Sequence, residues 1–92
     1  MRDFNLLKRE GNSYRYLGYL LKLTDAERIL LSVLIDEPDA GHNAAVMAAI
    51  CGISTRSVSA AVTAINRQAL PICGHRLILS SPLAGYRLTD QL

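Results

Sequence analysis

The stretch Asn43-Ala44-Ala45-Val46-Met47-Ala48-Ala49-Ile50-Cys51-Gly52-Ile53-Ser54-Thr55-Arg56-Ser57-Val58-Ser59-Ala60-Ala61-Val62-Thr63-Ala64-Ile65-Asn66-Arg67-Gln68 decides the fold. Asn43 is a competent N-cap, and the apolar run Ala44–Cys51 predicts a short helix with Val46, Met47 and Ile50 on its buried side. Gly52 suits a left-handed C-cap, which a residue without Cβ tolerates best. Ile53 then plugs inward, and Ser54 caps a further helix running to about Gln68. In that helix Val58, Val62, Ile65 and Ala69 fall within about 60° of one another at 100° per residue, giving one core-facing stripe. Ala44, Ala45, Ala48 and Ala49 are small enough to let the two helices approach closely.

Two helices, a glycine turn and an inward apolar residue read as a helix-turn-helix, although a purely structural helix corner shares part of that pattern. The outer face of the second helix separates the two. Opposite its stripe lie Arg56, Ala60, Thr63 and Arg67, with Ser57 and Ala64 on the flank. Guanidinium groups can meet phosphates or guanine edges, hydroxyls can bond either, and alanines leave room beside thymine methyls. An exposed helix without such a task more often carries Glu/Lys pairs. This one has no Glu, Asp or Lys.

Upstream, Thr24-Asp25-Ala26-Glu27 has the form of a capping box. Behind it Ala26, Ile29, Leu30, Val33 and Leu34 predict the apolar stripe of a first helix, stopping near Asp36 because Pro38 disfavours helical geometry at Glu37. Asp39-Ala40-Gly41-His42 is then a loop. Before that helix, apolar and aromatic runs flank Glu10-Gly11-Asn12-Ser13 and predict a β-hairpin, with a third short strand near Leu20–Leu23. Tyr14, Tyr16 and Tyr19 are expected to cover one face of this sheet and pack on the first helix. Downstream, Arg76–Ser80 and Tyr86–Thr89 read as a second hairpin joined by Ser81-Pro82-Leu83-Ala84-Gly85. Leu77, Leu79, Tyr86 and Leu88 would take its buried faces, leaving Arg76 and Arg87 outward. His42 and His75 fall in loops, where capping or surface roles are expected.

The 92 residues are half hydrophobic and one-fifth charged, which fits one small globular domain rather than a disordered chain. The net charge of +2 is unevenly spread. Residues 1–23 hold Arg2, Lys8, Arg9, Arg15 and Lys22 against Asp3 and Glu10. Residues 24–39 hold Arg28 against Asp25, Glu27, Asp36, Glu37 and Asp39. Residues 40–89 hold Arg56, Arg67, Arg76 and Arg87 and no carboxylate, a candidate polyanion surface. Cys51 and Cys73 stand apart without a metal-ligand pattern, so both are expected as buried small hydrophobes in a reducing cytoplasm. No run approaches a membrane span, and the N-terminus lacks the features of a signal peptide. No phosphate-loop, Gly-x-Ser-x-Gly or paired-carboxylate pattern argues for an enzyme, a cofactor or a metal.

An α+β order of N-terminal strands, three helices and a C-terminal hairpin bearing Gly85-Tyr86-Arg87-Leu88 resembles a winged helix-turn-helix. It is similar to the DNA-binding effector domain of OmpR/PhoB-type response regulators, including the Leu23-Thr24-x-x-Glu27 helix start. The Gly-Tyr-Arg-Leu strand and the short Cys51–Ser54 junction also look like the biotin-repressor type. The OmpR/PhoB family usually has a longer junction, which contacts RNA polymerase, and a recognition helix richer in Arg, His and Lys. The resemblance implies a bacterial transcriptional regulator, stand-alone or an effector portion without a receiver module. It would be a single domain over 1–92, with the helix-turn-helix at about 43–68 and the wing at 76–89. It also implies sequence-specific binding of double-stranded DNA through Asn43, Ser54, Thr55, Arg56, Ser57, Ser59, Ala60, Thr63, Ala64, Arg67, Arg76 and Arg87. Dimeric or tandem binding on half-sites is expected, with the N-terminal strands or the acidic first helix facing a protein. The alternative is a winged-helix protein–protein module that binds no DNA.

Overall fold

The structure, a computed structural model, describes residues 7–37, 41–82 and 85–89. Phe4–Leu6, the Pro38–Ala40 part of the first loop and Leu83–Ala84 of the second hairpin lie outside these. Strands β1 (Leu7–Glu10), β2 (Ser13–Tyr16) and β3 (Tyr19–Leu20) form an antiparallel meander. Helices α1 (Asp25–Asp36), α2 (Ala44–Cys51) and α3 (Thr55–Cys73) follow, and β4 (Ile78–Ser81) and β5 (Gly85–Leu88) close the chain as an antiparallel pair. Glu10 pairs with Ser13 across Gly11-Asn12, so the first hairpin turns where the sequence predicts. The third strand comes earlier than expected, because Leu17-Gly18 makes a tight turn with both residues at positive φ.

Core formation follows helical spacing, with its centre shifted in two helices. Helix α1 buries Glu27, Leu30, Leu31 and Leu34, an i, i+3, i+4, i+7 set. Ile29 falls off this stripe and is exposed, contrary to the sequence reading. Helix α2 buries Met47 fully and half-buries Ala44, Ala48 and Cys51, again an i, i+3, i+4, i+7 set. Val46 and Ile50, expected inside, are 45% and 46% exposed. The helix is apolar on every side, so volume misled where spacing would not have. Burial pushes the Cys51 thiol pKa up. Helix α3 buries Val58, Val62, Ile65 and Ala69 as expected. It continues beyond Gln68 to Cys73, with Pro71 inside its last turns. There the missing proline N–H leaves only the Arg67 carbonyl without its helical donor, while Ala69 and Ile72 pack on the core.

The N-terminal sheet joins this core through Leu7, Tyr14 and Tyr16, and Leu21, just after β3, joins it too. Tyr19 does not, being 63% exposed on the two-residue edge strand. Arg9 Nη2 donates to Asp36 Oδ1 at 2.9 Å, bringing a cation to the last turn of α1, which has no basic residue of its own. That hydrogen bond, more than the nearby Tyr14, raises the Arg9 pKa above its ordinary value. The capping box of α1 is complete: Glu27 N donates to Thr24 Oγ1 at 3.2 Å, and Thr24 N donates to Glu27 Oε1 at 2.8 Å. Thr24→Ala removes the first bond only and is expected to cost about 1 kcal/mol in urea denaturation. An unchanged midpoint would show that the cap contributes nothing.

Candidate functional site

Three pieces of backbone build the site: the N-terminal two-thirds of α3, the turn preceding it, and the β4–β5 hairpin. The turn is set by local chemistry. Asn43 Oδ1 accepts from Val46 N at 2.8 Å and caps α2. Gly52 caps the other end of α2 at φ 70° and ψ 32°. Ser54 Oγ then accepts from Ser57 N at 3.1 Å and donates to Ser57 Oγ at 3.0 Å, starting α3. The result turns the chain by 91° between α2 and α3, within the range of a helix-turn-helix. Ile53 packs partly against the core at the corner, as expected.

Because the α3 stripe faces inward, its opposite ridge faces solvent. Thr55, Arg56, Ser57, Ser59, Ala60, Thr63 and Arg67 are all exposed, and Ala64 is half-buried on the flank. Arg56, Ala60, Thr63 and Arg67 fall within about 60° of one another. Among the described residues no carboxylate pairs with Arg56, Arg67, Arg76 or Arg87. The described ion pairs lie elsewhere, at Arg9–Asp36, Arg15–Glu10, Arg28–Asp25 and His42–Glu37. The charge asymmetry of the sequence thus becomes a set of exposed arginines that no described carboxylate neutralises.

The hairpin stands beside this ridge. Arg87 is exposed between half-buried Tyr86 and buried Leu88, as strand alternation requires. Arg76 is also exposed, but it precedes β4 instead of lying on it. Leu77 and Ile78 are both buried where the chain crosses to the hairpin, and Leu79 is only half-buried. Between helix and hairpin runs an open cleft of about 490 Å³, lined among others by Ser59, Thr63, Arg67, Arg76, Ser80 and Tyr86. Ser59 Oγ and the Tyr86 hydroxyl meet across it at 3.2 Å.

Strands before the helices, a right-angled helix pair and a terminal hairpin together form an arrangement found in solved structures. The DNA-binding domain of the response regulator AdeR, in a structure with an intercistronic region, matches with a TM-score of 0.77 and 22% identity. That match covers 95% of this chain and 97% of the other. The C-terminal domain of the nisin resistance regulator NsrR, a lantibiotic response regulator, matches with a TM-score of 0.77 and 16% identity, covering 100% of both chains. The fold is a winged helix-turn-helix. These two response-regulator domains share it, and here α2 and α3 form the helix-turn-helix and β4–β5 the wing hairpin. No protein family matches the chain by sequence, and no curated protein does so either.

Two residues of the site escape sequence reading. His42, expected in a surface or capping role, is buried, with Nε2 3.0 Å from Glu37 Oε2. Its backbone forms a two-bond bridge with the wing: His42 N donates to Tyr86 O at 3.2 Å and Tyr86 N donates to His42 O at 2.7 Å. Tyr86 is therefore a structural post of the wing as well as a wall of the cleft. Only the contact across 44 positions reveals either role. His75 lies in the loop before β4, with Nδ1 3.1 Å from the Arg76 carbonyl oxygen. Among the described residues no helix is long and apolar enough to cross a membrane, and no cluster of metal-binding side chains is present.

Proposed function

We propose that this chain binds double-stranded DNA with sequence specificity as the effector domain of a bacterial transcriptional regulator, its residues 1–92 acting as a single domain in the cytoplasm. The observation that carries the reading is the exposed α3 ridge, on which Arg56, Ser57, Ser59, Ala60, Thr63 and Arg67 form a surface without carboxylates. In this reading the ridge enters a major groove about 12 Å wide. Thr55 and Ser54 sit at its leading end, and Ala64 lies at its edge. Asn43, Arg76 and Arg87 meet the backbone on either side. That AdeR's domain was solved with an intercistronic region supports the same choice of partner.

Four arginines and the amides at the helix start imply on the order of four to six phosphate contacts, so the log–log salt slope of duplex binding should be roughly −4 to −5. Such contacts make a modest monomer affinity, and binding is expected in pairs on half-sites about 10 bp apart. Fluorescence anisotropy on mixed-sequence duplexes tests the slope, and selection from random duplexes tests specificity and spacing together. Absence of any anisotropy change at 50 mM salt and micromolar protein would falsify the proposal.

The second reading is a protein-interaction module without DNA binding, favoured by exposed Leu17, Tyr19 and Leu20 at the β2–β3 turn. In the DNA-binding reading this same turn, or the acidic face of α1, is the surface offered to another protein.

A further inference from the structure

One side chain on α3 pairs with the wing in the manner of a neighbouring strand. Asn66 Oδ1 accepts from Ile78 N at 2.8 Å, and Asn66 Nδ2 donates to Ile78 O at 3.0 Å. The carboxamide thus uses an acceptor and a donor on both backbone groups of the first residue of β4, in a half-buried setting. Gln68 does the same on the other flank of the helix. Lys22 N donates to Gln68 Oε1 and Gln68 Nε2 donates to Lys22 O, both at 2.7 Å. A single bond would let a strand pivot, whereas two parallel bonds to one residue fix both its distance and its orientation.

We propose that Asn66 is the positioning residue of the wing, fixing the offset between the α3 ridge and Arg87 and so the spacing over which the protein contacts a duplex. The duplex half of this inference rests on the proposed function. Asn66 itself faces the wing and need touch no nucleotide. Its position follows from helix geometry: it is adjacent to buried Ile65 and to exposed Arg67, on the flank between core and ridge. Asparagine has the length for this pairing, and aspartate keeps only the acceptor.

Gln68 provides a matched control, because its removal breaks the same kind of pairing away from the wing. The test combines amide hydrogen exchange on the free full chain with a double-mutant cycle on a selected duplex. Asn66→Ala is expected to speed exchange of the Ile78 amide and of the β4–β5 ladder by about tenfold or more, while Gln68→Ala leaves the wing protected. Asn66→Ala should weaken duplex binding roughly five- to tenfold, and Arg87→Ala should then have little further effect. In the wild type and in Gln68→Ala, Arg87→Ala should keep its full effect. If Asn66→Ala does not fold, Asn66→Asp in the exchange experiment is expected to expose the wing to an intermediate degree.

Equal wing protection in the Asn66 and Gln68 variants overturns the positioning role. Additive effects of Asn66→Ala and Arg87→Ala, or no effect of Arg87→Ala on the wild type, overturn its consequence for the duplex. A wild-type chain that binds no duplex ends the proposed function and the duplex half with it, and hydrogen exchange still decides whether Asn66 holds the wing.

Discussion

Replacing Arg56 and Arg67 together with alanine is expected to weaken duplex binding about 100-fold or more, because two guanidinium groups are removed from the ridge at once. The two residues share one face but stand eleven positions apart, about 16 Å along the helix. They would therefore meet different nucleotides, and their effects should come close to adding. The salt slope should also flatten, by roughly one for each phosphate left without its arginine. Both side chains are exposed and unpaired with any described carboxylate, so the thermal midpoint should stay within about 4 °C of the wild type. Anisotropy titrations at several salt concentrations, with circular-dichroism melts alongside, make the comparison. Retained affinity would place the DNA-binding surface somewhere other than α3. A protein-interaction module, by contrast, would bind its partner unchanged.

Gly85→Ala should be the most damaging small substitution for the fold. A Cβ at this position would lie 2.4 Å from the His42 carbonyl oxygen, 2.5 Å from its carbon and 2.7 Å from Asn43 N. These are backbone atoms at the start of α2, so no side chain can swing aside to relieve the clash. The residue also has φ +74°, where alanine is strained even in open space. Relief requires the wing to lift from His42, breaking the two-bond bridge to Tyr86 and disturbing the Asn43 cap. A cost of about 3 kcal/mol follows, or a fall in thermal midpoint of roughly 10–20 °C. Gly52 provides the comparison, since it has φ +70° with nothing within 4 Å of an added Cβ. Gly52→Ala should cost about 1 kcal/mol, the backbone penalty alone. Equal destabilisation at the two positions would show that the packing of the wing on His42 is dispensable.

Features written within a few neighbouring residues were legible in the sequence. The Thr24–Glu27 capping box, the Asn43 and Ser54 caps, the Gly52 turn and the α3 stripe each follow from local spacing. The exposed ridge was legible for the same reason, since fixing the stripe fixes its opposite. What failed depended on partners distant along the chain. His42 is buried because Gly85 and Tyr86 come to it, which nothing near position 42 announces. Tyr19 looks like Tyr14 and Tyr16, yet the positive-φ turn at Leu17-Gly18 places it on the short edge strand β3, where it stays exposed. In α2, Val46 and Ile50 outweigh Ala44 and Ala48 in hydrophobicity, but close approach of the helices favours the smaller pair. Asn66 was unremarked because its task is to imitate a strand, and that strand begins twelve positions later.

The two carboxamides at Asn66 and Gln68 have a mechanical consequence. They grip α3 from different sides in its C-terminal half, while nearer its start Val58 and Val62 are anchored in the core and Ser59 meets Tyr86. The helix is thus held along its length, by two carboxamides at one end and by its packed stripe at the other. A rod held this way cannot roll about its long axis. Whatever lies against the exposed ridge meets one fixed azimuth of side chains, set by residues on its other faces.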